Sequence, residues 1–294
     1  METKWMIGIA VSIGLPFLLH LALLKHVTKK LKNMGMQRVN YRGAEVLTAG
    51  GIMVVASSTL TIGALLLCMQ VSGIAPSSLN HGLLLMAGMI TVAVWGWQDD
   101  RATDESAKGF RGHLGALWRE RKVTSGLWKA WGGGSTALLI SLAIAHTAWT
   151  WFLAVCLLAI TPNVLNLFDV RPARALKVFW LLLGMVALAA YYFPASDSSA
   201  VDWVWLLPVL TASILLFRHD ASGRIMLGDT GANSLGFVVG YAFVTHTATQ
   251  VQVVILLFFI SLHIIAEFVS FTQLIDRFSW LKRMDGWGRS AESE

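Results

Sequence analysis

Charge is what this chain has least of. Only 14% of its 294 residues are Asp, Glu, Lys or Arg, roughly half the share of an ordinary soluble domain. That excludes a solvated globular protein. Cysteine is almost absent too, and Cys68 and Cys156 both lie inside apolar runs. They read as small packing residues rather than a disulfide, and they say nothing of compartment. No cleavable leader is evident: the first apolar run, roughly 5–24, closes on Lys25-His26 and is expected to be a retained span. There is no internal repeat, no low-complexity tract and no soluble domain.

What is there instead is apolar sequence. Hydrophobic residues make up 55% of the chain and the mean hydropathy is +0.62. The runs without acids or bases are long enough to cross a bilayer, which predicts an all-α polytopic membrane protein. About nine spans can be read, at roughly 5–24, 50–70, 82–98, 129–147, 149–167, 175–193, 202–217, 233–248 and 251–275. Only His146 to Thr150 separate the fourth from the fifth. Lys and Arg test the count. With residues 1–4 outside, and allowing two residues at each span edge, the inner loops and tail hold all the Lys and Arg except Lys4, and the outer loops 71–81, 194–201 and 249–250 hold none. The positive-inside rule then puts the N-terminus outside and the C-terminus in the cytoplasm, which requires an odd number of spans. The formal net charge of +6 reads as topology and contact with anionic lipid or phosphate substrates, with no nucleic acid.

The whole chain, 1–294, is therefore expected to be one transmembrane domain. Its chemistry should lie in loops at about 25–49, 99–128, 163–177 and 218–233 and in the tail, about 276–294. The loop at 99–128 opens with Trp95-Gly96-Trp97-Gln98-Asp99-Asp100-Arg101. Two adjacent carboxylates at the edge of hydrocarbon repel and are poorly solvated, so a pair there calls for a divalent metal or nearby cations. The bland alternative is a solvated helix end. A basic stretch follows, Lys108-Gly109-Phe110-Arg111-Gly112-His113 and on to Lys129. Acid first and base second suits a metal and a phosphorylated ligand held together; anchoring to anionic lipid is the other reading.

The remaining loops add to this. Asn40-Tyr41-Arg42-Gly43 precedes Gly50-Gly51-Ile52, where glycines opening a helix offer N–H groups to an anion or simply make a close helix contact. Asn163, Asn166 and Asp169 recur at i, i+3, i+6, on one helical face; they form either a site or an interhelical polar stripe. Arg224 lies just before Gly228-Asp229-Thr230-Gly231, where Asp229 stands between glycines at a helix start that favours anions or is a plain N-cap. His263 and Glu267, at i, i+4 inside the last span, are placed to hydrogen-bond each other.

Taken in order, these loops resemble the polyprenyl-phosphate N-acetylhexosamine-1-phosphate transferases over nearly the whole chain. Gly50-Gly51-Ile52 is similar to that family's early glycine pair, and Asp99-Asp100 to its acidic pair. Lys108 through Lys129 is similar to its basic segment, Asn163 to Asp169 to its Asn-Leu-x-Asp motif, and Met226 to Gly231 to its Gly-Asp-x-Gly motif. There are departures. Val170-Arg171-Pro172-Ala173 stands where Gly-x-Asp-Gly is common, Ala232-Asn233 where Ser-Leu is, and a short tail with Asp285 and Arg289 replaces a His-rich loop and a tenth span.

The resemblance implies transfer of a sugar 1-phosphate from a UDP-N-acetylhexosamine to polyprenyl (undecaprenyl) phosphate at the cytoplasmic face of the cell membrane, releasing UMP as a first step of envelope glycan synthesis. It implies Mg²⁺, or Mn²⁺, held by Asp229 with Asp100 and Asp169. Asp99 would take the lipid-phosphate proton or act as nucleophile. Asn163, Asn166 and Asp169 would bind nucleotide, and Lys108, Arg111, Lys129 and Arg224 would hold phosphates. A homodimer is left open. Two other functions compete: a transporter or flippase of an anionic solute, and an inactive relative serving as a scaffold.

Overall fold

The computed structural model describes residues 2–40, 43–71, 76–102, 125–196 and 200–289. They are overwhelmingly helical: α1 (Glu2–Asn33), α2 (Gly51–Val71), α3 (Pro76–Arg101), α4 (Ser125–Ile144), α5 (Ala148–Phe168), α6 (Arg174–Tyr192), a 3₁₀ turn (Ala200–Trp205), α7 (Leu207–Ala221), α8 (Gly228–His246), α9 (Thr249–Phe268), α10 (Phe271–Arg277) and α11 (Ser279–Gly286). The one sheet among them is a short antiparallel hairpin, β1 (Gln37–Val39) with β2 (Glu45–Leu47), in which Arg38 faces Val46. Its Leu47 continues into a parallel bridge with Ile225.

Seven of these helices are long and apolar enough to cross a membrane, so the chain is an all-α, membrane-embedded protein. Each of the nine expected spans overlaps one of the helices α1 to α9. The two that fall short of the spanning criterion do so for different reasons. In α4, side chains are described only from Trp131, and the apolar stretch Trp131–Ile144 is short. α8 is polar at its start, with Asp229, Thr230, Asn233 and Ser234, yet nearly all of it is buried. It packs against α5, α3, α6 and α2, so its neighbours are protein rather than lipid and a hydrocarbon-like surface is not required of it.

Several boundaries differ from the sequence reading. The separation of the fourth and fifth spans rests on a capping box: the Thr147 hydroxyl accepts from the Thr150 N–H, and the Thr150 hydroxyl accepts from the Thr147 N–H. This fixes a helix start where apolar character alone shows no break. α1 continues to Asn33, since its lysines are good helix formers once clear of hydrocarbon. α7 runs on to Ala221, which puts Asp220 in a helix rather than a loop. The last apolar run breaks at Val269, and α10 and α11 turn back toward the start of α6.

Close backbone approaches hold α8 at the centre. A Cβ at Gly236 would meet the Thr161 carbonyl oxygen at 2.4 Å, and one at Gly240 the Thr161 hydroxyl at 2.3 Å. Gly236 and Gly240 thus form a small-xxx-small seam that lets α8 lie against α5. Larger side chains fill the rest: Phe237, Phe243, Phe179 and Met53 are fully buried around it.

Candidate functional site

An α-helix begins with N–H groups that have no partner inside the helix. At the start of α8 these groups are met by carboxylates from three other elements. Leu227 N–H donates to Asp220 Oδ1 at 3.3 Å, and Gly228 N–H donates to Asp169. Asp229 N–H donates to Asp100 Oδ1 at 3.0 Å and Thr230 N–H to Asp100 Oδ2 at 2.9 Å. The Thr230 hydroxyl adds a 2.6 Å bond to Oδ2, and the Thr48 hydroxyl reaches Oδ1 at 3.4 Å. One residue earlier, Met226 N–H donates to the Leu47 carbonyl at 2.7 Å. The negative collar matches the positive end of the helix dipole.

Sequence explains how the collar closes. Asp100 reaches α8 because Gly96, one turn earlier on α3, has no side chain: a Cβ there would stand 2.5 Å from the Asp229 carbonyl oxygen. Gly228 has φ +71°, and a Cβ on it would lie 2.8 Å from Asp100 Oδ1. Only glycine satisfies both demands. Arg38 of β1 braces the end of α3 by donating to the carbonyls of Asp100 and Ala102. Asp220, in the last turn of α7, accepts on Oδ2 from Ala173 N–H at 2.9 Å. That bond accompanies a left-handed Ala173, φ 61°, a conformation that costs a non-glycine residue about 1 kcal/mol or more. Asp169 caps the C-terminus of α5, its own N–H donating to the Asn166 carbonyl at 3.1 Å.

The result is a crowd of like charges. Asp169 keeps part of its surface accessible, yet the protein packed around it and the carboxylates of Asp220, Asp229 and Asp100 push its pKa well above the usual value. Both Asp100 oxygens are engaged by two donors each, and both Asp220 oxygens face N–H groups. Among the described residues no three His, Cys, Asp or Glu side chains form a ready metal cage. Asp229 lies close enough to act on the carboxylates of both Asp169 and Asp100, which pairs it with Asp169 as a candidate metal seat. A two-carboxylate seat suits Mg²⁺, which takes its remaining ligands from water and substrate phosphates.

The other expected residues fall as follows. Asp99 is half-buried beside Asp100, and Asn166 is half-buried on α5. Asn163 is exposed, with its amide donating to its own helix at Ala159. Arg224 is exposed on the turn before α8. Lys108, Arg111 and His113 lie outside the described residues, as do Tyr41 and Arg42 and the side chain of Lys129. At two helix starts the structure decides between the alternatives that the sequence leaves open. The N–H groups of Gly50 and Gly51 do not face an anion; they donate to the carbonyls of Met226 and Leu227, each at 2.8 Å. The start of α8 is likewise filled by the protein's own carboxylates, so it is no open phosphate seat. His263 Nδ1 donates to the Phe259 carbonyl at 2.9 Å, the ordinary partner four residues back on its own helix.

Asp220, Arg38, Thr48 and Thr230 were not singled out as site residues from sequence. Asp220 had one available signal, an acid nine residues before Asp229, but no spacing rule connects the end of one helix with the start of another. No family model matches this chain, and a search of curated proteins finds no match.

Proposed function

We propose that this protein transfers a sugar 1-phosphate, from a UDP-N-acetylhexosamine, to polyprenyl phosphate and releases UMP. The observation that carries the reading is the meeting of Asp100, Asp169 and Asp229, each sixty residues or more from the next along the chain, around one helix start beside Asp99. Phosphoryl transfer needs charge neutralisation and positioning more than covalent help, and a carboxylate cluster at a membrane interface supplies that once a divalent cation is held there.

In this proposal Asp229 and Asp169 hold Mg²⁺, with Mn²⁺ an alternative, and Asp100 is a neighbour that fixes the start of α8 rather than a ligand. Bound there, the metal would neutralise charge on the donor diphosphate. Asp99 takes the proton of the lipid phosphate, or attacks in a two-step route. Asn166 borders the nucleotide. Lys108, Arg111, Lys129 and Arg224 supply positive charge to phosphates. We read α1 to α9 as nine spans with the N-terminus outside and this site at the cytoplasmic face of the cell membrane; the distribution of Lys and Arg supports that orientation.

The test is product formation. Purified protein in detergent, given Mg²⁺, polyprenyl phosphate and a panel of UDP-sugars, should release UMP with one or more of them, and mass spectrometry should find the polyprenyl-pyrophosphoryl-sugar. No UMP from the whole panel would overturn the reading.

A further inference from the structure

The tail folds back on the loop that follows Asp169 and builds a second polar chamber there. Arg174, the first residue of α6, is 3% exposed and grips Asp285 with two parallel bonds, Nε to Oδ1 at 2.8 Å and Nη2 to Oδ2 at 2.7 Å. Its Nη1 donates to the Thr272 hydroxyl at 2.9 Å. Arg289, 8% exposed, stands 2.8 Å from the same Asp285 and donates from Nε to the Pro172 carbonyl at 2.9 Å. Its Nη2 is buried and is the atom that pairs with Asp285 Oδ1. Lys177 donates to the carbonyls of Met284, Asp285 and Trp287 rather than to a carboxylate. One carboxylate therefore serves two buried guanidiniums, with an ammonium alongside. Asp220 lies close enough to act on Arg289 and Lys177, but both its oxygens are turned to N–H groups.

In front of this cluster is a cavity of about 320 Å³, lined by Arg171, Arg174, Lys282 and Arg289 on the positive side and by Asp276 and Asp285 on the negative. Lys282 is exposed and Arg171 half-buried, so two cations stand nearer solvent and two lie deep. Cations that outnumber the carboxylates around them and are held away from water favour an anion. The forked donors of arginine select one with several oxygens in a compact array, and Gly286 in the wall leaves room beside the backbone.

We infer that this cavity binds a phosphate or diphosphate group. Asp220 of the collar acts on Arg289 in its wall, so the bound group lies on the collar's side of the protein, and the tail becomes a wall of the reaction site rather than a passive end. The biological source of the phosphate, a water-soluble nucleotide donor or a lipid phosphate, rests on the transferase reading; the binding itself does not.

Calorimetric titration of the full chain with sodium pyrophosphate tests it, in nanodiscs of neutral phosphatidylcholine. Saturable binding that weakens with added salt and falls roughly tenfold or more in Arg171→Glu/Lys282→Glu is the expected result. Both residues sit at the mouth, and Lys282→Ala alone, with a smaller loss, guards against a folding artefact. Arg171→Lys should largely retain affinity. Competition by UDP from solution assigns the site to the donor; competition by phosphatidic acid placed in the nanodisc assigns it to a lipid phosphate. No pyrophosphate binding, or equal binding by folded wild type and both mouth variants, overturns the inference. Failure of the transferase reading shows elsewhere, as absent UMP release from a protein that still binds pyrophosphate here.

Discussion

The two ends of α8 meet the same physical demand in opposite ways. A buried helix must find partners for its first N–H groups and its last carbonyls. At the start, Asp100, Asp169 and Asp220 supply three carboxylates. At the far end the work is done by neutral groups. The buried Gln252 amide donates to the carbonyls of Val244 and Thr247 at 3.0 and 2.8 Å, and Ala195 N–H donates to His246 at 3.1 Å. A cavity of about 340 Å³ opens beside that end, lined by His81, His146, Thr245 and Gln252 among others, and none of its lining residues is an acid, a lysine or an arginine. Capping alone therefore does not call for ionised side chains in this fold. The carboxylate end carries a repulsion that the amide end avoids, and that excess is what the proposed chemistry uses.

Four variants would break or sharpen this contrast, beginning with the largest effect. Asp229→Asn should lower UMP release about a thousandfold, with near-UV circular dichroism unchanged; a loss of only severalfold would remove Asp229 from the chemistry. Gly228→Ala forces a left-handed alanine and drives a Cβ toward the Asp100 carboxylate. It should cost about 2–4 kcal/mol in reversible unfolding and also depress turnover, because it disturbs the collar itself. At the other end, Gln252→Ala orphans one buried and one half-buried carbonyl, Thr247 and Val244, and should cost about 1–3 kcal/mol. Its turnover should stay within about twofold of wild type; a large rate defect would erase the functional difference between the ends.

The smallest effect has the opposite sign. Burial and neighbouring carboxylates raise the Asp169 pKa well above 3.8, so the folded state binds a proton more tightly than the unfolded chain. Stability then falls as pH rises from about 4 through the raised value, and the loss persists at neutral pH. Asp169→Asn removes the charge and keeps an oxygen for Gly228 N–H. It should raise the melting temperature by a few degrees at pH 7, with the gain fading below pH 4, where both side chains are uncharged. Thermal shift across pH reads it, and an unchanged or lower melting temperature at pH 7 would contradict the crowding described here.

Much of the fold was legible because hydrocarbon imposes a simple rule: an apolar run long enough to cross must be helical. Each of the nine runs read from sequence overlaps a helix. What stayed open was which loop groups already have partners inside the protein. Gly50-Gly51 were read either as anion donors or as a close helix contact, and the contact is what forms: their N–H groups are taken by the Met226 and Leu227 carbonyls, and a Cβ on Gly51 would meet Gly231. Asp220 was read as a loop residue and is the last-turn anchor of α7. Asp285 and Arg289 were visible as a tail motif, but nothing local announces that Arg174, over a hundred residues away, holds them.

Composition and pattern by themselves determined that the chain is helical and membrane-embedded, and that Asp99, Asp100, Asp169 and Asp229 stand at the ends of apolar runs. Those properties depend on local hydropathy, which a linear sequence displays. Tertiary structure decided which carboxylates cap α8, which of them crowd together there, and where the tail returns. Those depend on backbones approaching within a Cβ's width at Gly51, Gly96 and Gly228, and close packing of that kind is a property of pairs of elements, absent from either one alone.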